Sequence, residues 1–169
     1  MQGMAVPDFA LKNTSGGTLR LSDYRKGGPV LLAFFRRDCP TCRLAIPFAE
    51  RLYRRHGRAV RFLGILQEGR QEAAALAKEL GIMMPLVLDE GPEWAASSAF
   101  ALKELPALLL LDGEGGIQAS QTGFSKQGYQ VLADRLAGLS GKTPEPLFDS
   151  LASTPASAGG CAPRSRHSP

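Results

Sequence analysis

The feature that most constrains this chain is the tetrapeptide Cys39-Pro40-Thr41-Cys42, together with the patterns on either side of it. Before it, residues 30–35 form a continuous apolar run, which is typical of a strand buried on both faces. After it, Leu44, Phe48 and Leu52 recur at the spacing of an amphipathic helix. A buried strand that leads directly into a helix indicates an α/β fold, with the two cysteines at the junction.

Strands and helices continue to alternate along the chain. Two short extended stretches on either side of Gly16-Gly17 predict an N-terminal hairpin. Apolar runs predict further strands over 60–66, 85–89, 107–111 and 117–122, and helical periodicity predicts helices around 73–80, 92–101 and 129–136. This order of elements predicts an α/β sandwich with a mixed central sheet.

Composition divides the chain into two regions. Its 169 residues suffice for one globular domain, which we expect over residues 4–140. Residues 141–169 contain five proline, five serine, four alanine and three glycine residues and few large apolar side chains. Such a segment buries too little surface to offset its ordering entropy, so we expect a flexible, low-complexity C-terminal tail.

Charge and hydropathy exclude several classes of partner. A net charge of +4 without a nucleic-acid-binding motif argues against nucleic acid. No apolar stretch approaches the roughly 20 residues needed to span a bilayer, so no membrane partner is expected. Residues 1–9 lack the pattern of a secretory signal, and we therefore expect a cytoplasmic protein.

The two cysteines have the spacing of a redox-active dithiol that opens a helix. Cys39 would lie at the helix N-terminus, where free N–H groups and the helix dipole favour a thiolate. We expect Cys39 to be the acidic, exposed, attacking thiol, and Cys42, one turn deeper, to be the resolving thiol. Nearby charges should modulate this chemistry, the arginines favouring the thiolate and the aspartate opposing it: Arg36, Arg37, Asp38 and Arg43.

Two alternatives concern the remaining metal-ligand residue types. A closed zinc site would need a second ligand pair, and only Cys161, His56 and His167 remain, two of them in the predicted tail. We therefore expect neither a metal nor an organic cofactor. Cys161 itself is either an inert tail thiol or an auxiliary thiol that reaches the active site or joins two copies of the chain.

The order of these motifs resembles that of thioredoxin-fold redoxins, specifically the TlpA/ResA-like and broader AhpC/TSA-related proteins. The resemblance rests on Val6-Pro-Asp-Phe-Ala-Leu, Leu21-Ser-Asp-Tyr-Arg-Lys-Gly, residues 30–35, the CPTC helix with Pro47, residues 85–89, and Leu105-Pro106 before an apolar strand. It implies a thioredoxin-like three-layer sandwich with a helical insertion before Pro85. It also implies that Pro106 follows a cis peptide bond and faces the cysteines, with Pro40, Thr41 and Leu105 lining the substrate groove.

The chain departs from these families at several positions. Ala33 and Ala45 stand where related proteins carry acidic residues near the resolving thiol, so Asp38 or water would have to accept its proton. Peroxiredoxins need Thr or Ser three residues before the reactive cysteine and Pro seven before, whereas Cys39 follows Arg36 and Leu32.

The resemblance therefore favours a thiol-disulfide oxidoreductase, acting as a disulfide reductase. Its expected partners are a protein or small-molecule disulfide and an external thiol donor of the thioredoxin or glutathione kind. A thiol peroxidase or a peroxide or redox sensor is the alternative.

Overall fold

A computed structural model describes residues 6–149 and 153–165 of the chain. Its centre is a sheet of seven strands in the order β2-β1-β5-β4-β3-β6-β7. These strands are β1 (Ala10–Asn13), β2 (Thr18–Arg20), β3 (Val30–Phe35), β4 (Arg61–Leu66), β5 (Leu86–Leu88), β6 (Ala107–Leu111) and β7 (Ile117–Thr122). The three neighbours β3, β4 and β5 run parallel and the other pairings are antiparallel, so the sheet is mixed as predicted.

Helices connect these strands. They are α1 (Leu21–Tyr24), α2 (Pro40–His56), α3 (Arg70–Leu80), α4 (Ala95–Ala99) and α5 (Lys126–Ser140), with a 3₁₀ turn at Arg25–Gly27. The predicted N-terminal hairpin is formed by β1 and β2, and α3 is the helical insertion expected before Pro85. Helix α4 is shorter than the predicted 92–101, because Trp94 adopts a left-handed conformation and the carboxylate of Asp89 accepts the N–H groups of Ala96 and Ser97.

Helical layers cover both faces of the sheet. All six residues of β3 and all five of β6 are buried, as they must be when neither face of the sheet centre meets water. On one face, α2 is tied to α3 and the loop after it: Arg43 forms an ion pair with Glu79, and the buried Glu50 accepts the N–H groups of Met83 and Met84. The architecture is therefore a three-layer sandwich with a mixed central sheet.

The C-terminal region corrects one expectation. Residues 141–169 were expected to be flexible, but residues 153–165 lie against the domain, and β9 (Ser157–Ala158) pairs with β8 (Phe124–Ser125). Before it, Leu147 is buried and Phe148 packs on Phe48. Hydrogen bonds of the backbone and of single polar side chains hold residues 153–165 in place, and composition does not reveal such contacts. His167 lies outside the described residues.

Candidate active site

Cys39 lies between β3 and α2, and it is the N-cap residue of α2. Its Sγ accepts the N–H of Cys42 at 3.4 Å. An N–H group and the positive end of the helix dipole both point at this sulfur, and both favour a negative charge on it. The geometry therefore suits a thiolate at Cys39 once the thiol is free.

Cys42 lies one turn deeper and is fully buried. Its Sγ accepts the N–H of Arg36 at 3.4 Å. Burial raises the pKa of the Cys42 thiol to about 12, and the carboxylates of Asp38 and Glu68 act in the same direction, while Arg36 opposes them. Cys42 is therefore a neutral thiol near neutral pH and must lose its proton before it can attack.

Leu105 and Pro106 face the cysteines from the start of β6, and the peptide bond between them is cis, as the resemblance implies. The carbonyl oxygen of Leu105 lies 3.8 Å from the Sγ of Cys39. Its backbone is paired with Cys161, in an antiparallel bridge with N···O distances of 2.7 and 2.8 Å. Leu105 therefore presents backbone N–H and C=O groups, next to the Cys39 sulfur, with which an extended segment can pair.

Cys39 and Cys161 form a disulfide, with their Cα atoms 6.0 Å apart. Cys42 is the free cysteine among the described residues. This corrects the expectation that Cys39 is exposed: it is fully buried, because the segment around Cys161 covers it. Cys161 is not an inert tail thiol in this structure.

Two of the expected modulators form a network beside the cysteines. The Nε of Arg36 donates to Asp38 at 2.6 Å, and its Nη1 donates to the carbonyl of Ala162 at 2.5 Å. The hydrogen bond from Arg36 lowers the pKa of Asp38, so this carboxylate is a weak base and a poor acceptor for the proton of Cys42.

The other two expected modulators contact different partners. Arg43 pairs with Glu79 of α3. The backbone N–H of Arg37 donates to the carboxylate of Glu68 at 2.8 Å. The charge expected from four residues is thus delivered beside the cysteines mainly by Arg36 and Asp38.

Thr41 and Pro40 open α2 next to Cys39, and they differ in what they contact. The hydroxyl of Thr41 donates to the carbonyl of Gly159 at 2.5 Å, so it takes part in holding the segment. Pro40 is exposed at the first position of the helix, where the missing N–H has no cost.

Several residues that sequence reasoning missed complete the site. Gln67 and Glu68 follow β4, and both are buried. Because β4 runs parallel to β3, its carboxyl end lies at the same sheet edge as the loop that carries Cys39, a signal that could have found them. Glu104 also contributes, since its Oε1 accepts the N–H of Gly160 at 2.6 Å. No sequence pattern indicates this residue.

Tyr129 of α5 is fully buried, and its hydroxyl has no hydrogen-bond partner among the described residues. Burial raises the pKa of the Tyr129 hydroxyl, and proximity to Cys42 adds to the effect. Its ring packs on Phe124, with ring centroids 5.0 Å apart. The phenol of Tyr129 is therefore a buried polar group near Cys42 that no described residue satisfies.

Two kinds of feature are absent from the described part of the chain. Within 6–149 and 153–165, no three His, Cys, Asp or Glu side chains are grouped so that they could hold a metal ion. Over the same ranges, no helix combines the length and the apolar character needed to cross a bilayer.

Comparison with known proteins gives three consistent results. The model of the AhpC/TSA family matches residues 2–120. The thiol-disulfide oxidoreductase ResA of Geobacillus kaustophilus is 30% identical over 123 residues, which cover 72% of this chain and 69% of ResA. A candidate protein disulfide isomerase from Bacteroides thetaiotaomicron has a similar structure, with a TM-score of 0.74 and 27% identity over 84% of this chain and 91% of the other.

The thioredoxin domain of a thiol-disulfide oxidoreductase from Bacteroides vulgatus shares the fold. Its TM-score is 0.68 at 20% identity, over 80% of this chain and 98% of that domain. The three-layer sandwich is thus a thioredoxin-like fold.

Proposed function

This chain belongs to the AhpC/TSA family, and we propose that it acts within that family as a thiol-disulfide oxidoreductase with Cys39 and Cys42 as its redox pair. One observation carries the proposal. The sulfur of Cys39 lies at a helix N-terminus beside the backbone edge of Leu105, and a free thiol, Cys42, lies one turn behind it.

The mechanism follows from the different surroundings of the two sulfurs. The thiolate of Cys39 attacks a substrate disulfide, forms a mixed disulfide and releases the first substrate thiolate. Cys42 then loses its proton and attacks the sulfur of Cys39, which releases the second substrate thiolate and leaves a Cys39–Cys42 disulfide. Solvent water is the proton acceptor we propose for Cys42, because the hydrogen bond from Arg36 makes Asp38 a weak base.

An external thiol donor of the thioredoxin or glutathione kind then reduces the Cys39–Cys42 disulfide. In this direction the protein is a disulfide reductase. We place the reaction in the cytoplasm, where thiol pools supply the electrons. Extraction of the protein into acid, followed by thiol labelling, tests the compartment: Cys39 should be recovered reduced, and complete oxidation would place the protein in an oxidising compartment.

The two candidate activities differ in the oxidant that Cys39 prefers. Fully reduced protein is mixed with limiting glutathione disulfide or limiting hydrogen peroxide, quenched with a thiol-labelling reagent and mapped by mass spectrometry. We expect rapid loss of the Cys39 thiol with glutathione disulfide and slow loss with peroxide. Rapid formation of sulfenic acid at Cys39, with little reaction with the disulfide, would refute the oxidoreductase and favour a peroxidase or peroxide sensor.

A further inference from the structure

The residues that cover Cys39 belong to the chain itself. Residues 156–165, the docked segment, cross the site in an extended conformation. The N–H of Lys126 donates to the carbonyl of Ala156 at 2.9 Å, β9 pairs with β8, and Cys161 pairs with Leu105. The segment therefore takes the position that a bound peptide would take beside Cys39.

We propose that the docked segment is an intramolecular substrate of the active site, and that Cys161 is a third redox-active thiol. This inference rests on the proposed dithiol function. The Cys39–Cys161 disulfide is then the intramolecular counterpart of the mixed disulfide with an external substrate.

The exchange balances with one external disulfide as the oxidant. An external disulfide accepts two electrons from two of the chain's three thiols and becomes two external thiols. When Cys39 and Cys161 supply the electrons, their disulfide forms. Attack by the Cys42 thiolate on the Cys39 sulfur then forms Cys39–Cys42 and releases Cys161 as a thiolate, which takes up a proton. The two linkages therefore interconvert within one chain.

Polar contacts on both sides of Cys161 hold the docked segment. Before the cysteine, the carbonyl of Gly159 accepts the Thr41 hydroxyl and the N–H of Gly160 donates to Glu104. After it, the carbonyl of Ala162 accepts from Arg36.

Arg164, three residues after Cys161, is a further anchor of the docked segment. Its backbone N–H donates to the side-chain oxygen of Gln67 at 2.8 Å, and Gln67 donates back to its carbonyl at 2.7 Å. The guanidinium pairs with Asp38 at 3.1 Å and lies over the ring of Trp94. The site can therefore bind a basic residue three positions after the cysteine, through the carboxylate of Asp38 and the ring of Trp94.

Gly160 and Gly159 provide a matched pair of positions for a test. A Cβ on Gly160 would overlap the backbone carbonyl of Leu105 and the side chain of Glu104, whereas a Cβ on Gly159 would meet nothing within 4 Å. Neither glycine has a positive φ in the structure. Gly160→Ala therefore opposes docking, and Gly159→Ala makes the same chemical change without the collision.

The test uses three full-length proteins: the unmodified chain, Gly160→Ala and Gly159→Ala. Each is equilibrated with one equivalent of glutathione disulfide and quenched in acid, and the Cys39–Cys161 and Cys39–Cys42 disulfides are quantified by mass spectrometry. We expect the ratio of Cys39–Cys161 to Cys39–Cys42 to fall about tenfold in Gly160→Ala, as a lost contact of ordinary strength would cause, and to change less than about twofold in Gly159→Ala. An equal ratio in all three proteins would overturn the proposal. Formation of Cys39–Cys42 alone would also overturn it while leaving the proposed function intact, and formation of neither linkage would refute the proposed function itself.

A peptide corresponding to residues 156–165 tests recognition separately from tethering. In a protein with Cys42→Ser and Cys161→Ser, the glutathione mixed disulfide of this peptide should transfer the peptide to Cys39. The peptide with Arg164→Ala should react roughly fivefold less efficiently, since it lacks the ion pair and the ring contact. Equal efficiency of the two peptides would show that the groove does not recognise the basic residue and would overturn this part of the proposal.

Discussion

The burial of Cys42 predicts how the release step depends on pH. With a pKa of about 12, about one Cys42 in 10⁵ is ionised at pH 7, whereas about one in 100 of ordinary thiols with a pKa of 9.0 would be. This thousandfold deficit corresponds to about 4 kcal/mol. Because the ionised fraction rises tenfold per pH unit below the pKa, release should accelerate by about tenfold per unit from about pH 6 to about pH 10.

A coloured leaving group measures this step directly. In the Cys161→Ser protein, Cys39 is capped with an aromatic thiol that absorbs light when released, so Cys42 is the only remaining cysteine that can displace it. The control is the same protein with Cys42→Ser. It should release no aromatic thiol, because it has no free cysteine left to displace it from Cys39. A rate that levels off near pH 9 would mean an ordinary thiol, and a rate independent of pH would mean proton transfer to a neighbouring base during the attack; either would refute the role assigned to burial.

Two further predictions concern buried polar groups. Asp89 is fully buried, and its carboxylate accepts the N–H groups of Ala96 and Ser97 and the Ser97 hydroxyl. Asp89→Asn should lower the free energy of unfolding, measured by urea denaturation, by about 2 kcal/mol, because the amide replaces one acceptor oxygen with a donor. The exposed Asp23→Asn control should change it by less than about 0.5 kcal/mol, and equal effects would contradict the role of Asp89. Tyr129→Phe should raise the free energy of unfolding by about 1 kcal/mol, because it removes a buried hydroxyl that has no partner among the described residues. Its rate of aromatic-thiol release should be unchanged, and a slower release would show that the hydroxyl serves Cys42.

Periodic burial made most of the fold predictable. The apolar run 30–35 is β3 residue for residue, and the helical period after Cys39 continues through α2. The Ser125 hydroxyl caps α5 by accepting the N–H of Gly128, and serine is a residue that helix N-caps prefer. These elements bury large apolar faces, and burial leaves a regular pattern in sequence.

The docked segment could not be predicted in the same way. It is held by backbone pairing with Leu105 and β8 and by single polar contacts such as that of Thr41. Backbone groups are the same at every residue, so a stretch such as Gly159-Gly160-Cys161 reads as a linker. The prediction that Cys39 is exposed was wrong for the same reason, because no sequence pattern indicates that the docked segment covers it.

The most direct test of the dithiol mechanism separates attack from release. Cys161→Ser proteins that carry either Cys42→Ser or Cys39→Ser are mixed with glutathione disulfide, quenched in acid and analysed for mixed disulfides. The mechanism predicts that Cys42→Ser accumulates a stable adduct on Cys39, whereas Cys39→Ser forms no adduct on the buried Cys42. An adduct on Cys42 in the Cys39→Ser protein, or sustained disulfide reduction without Cys39, would contradict it.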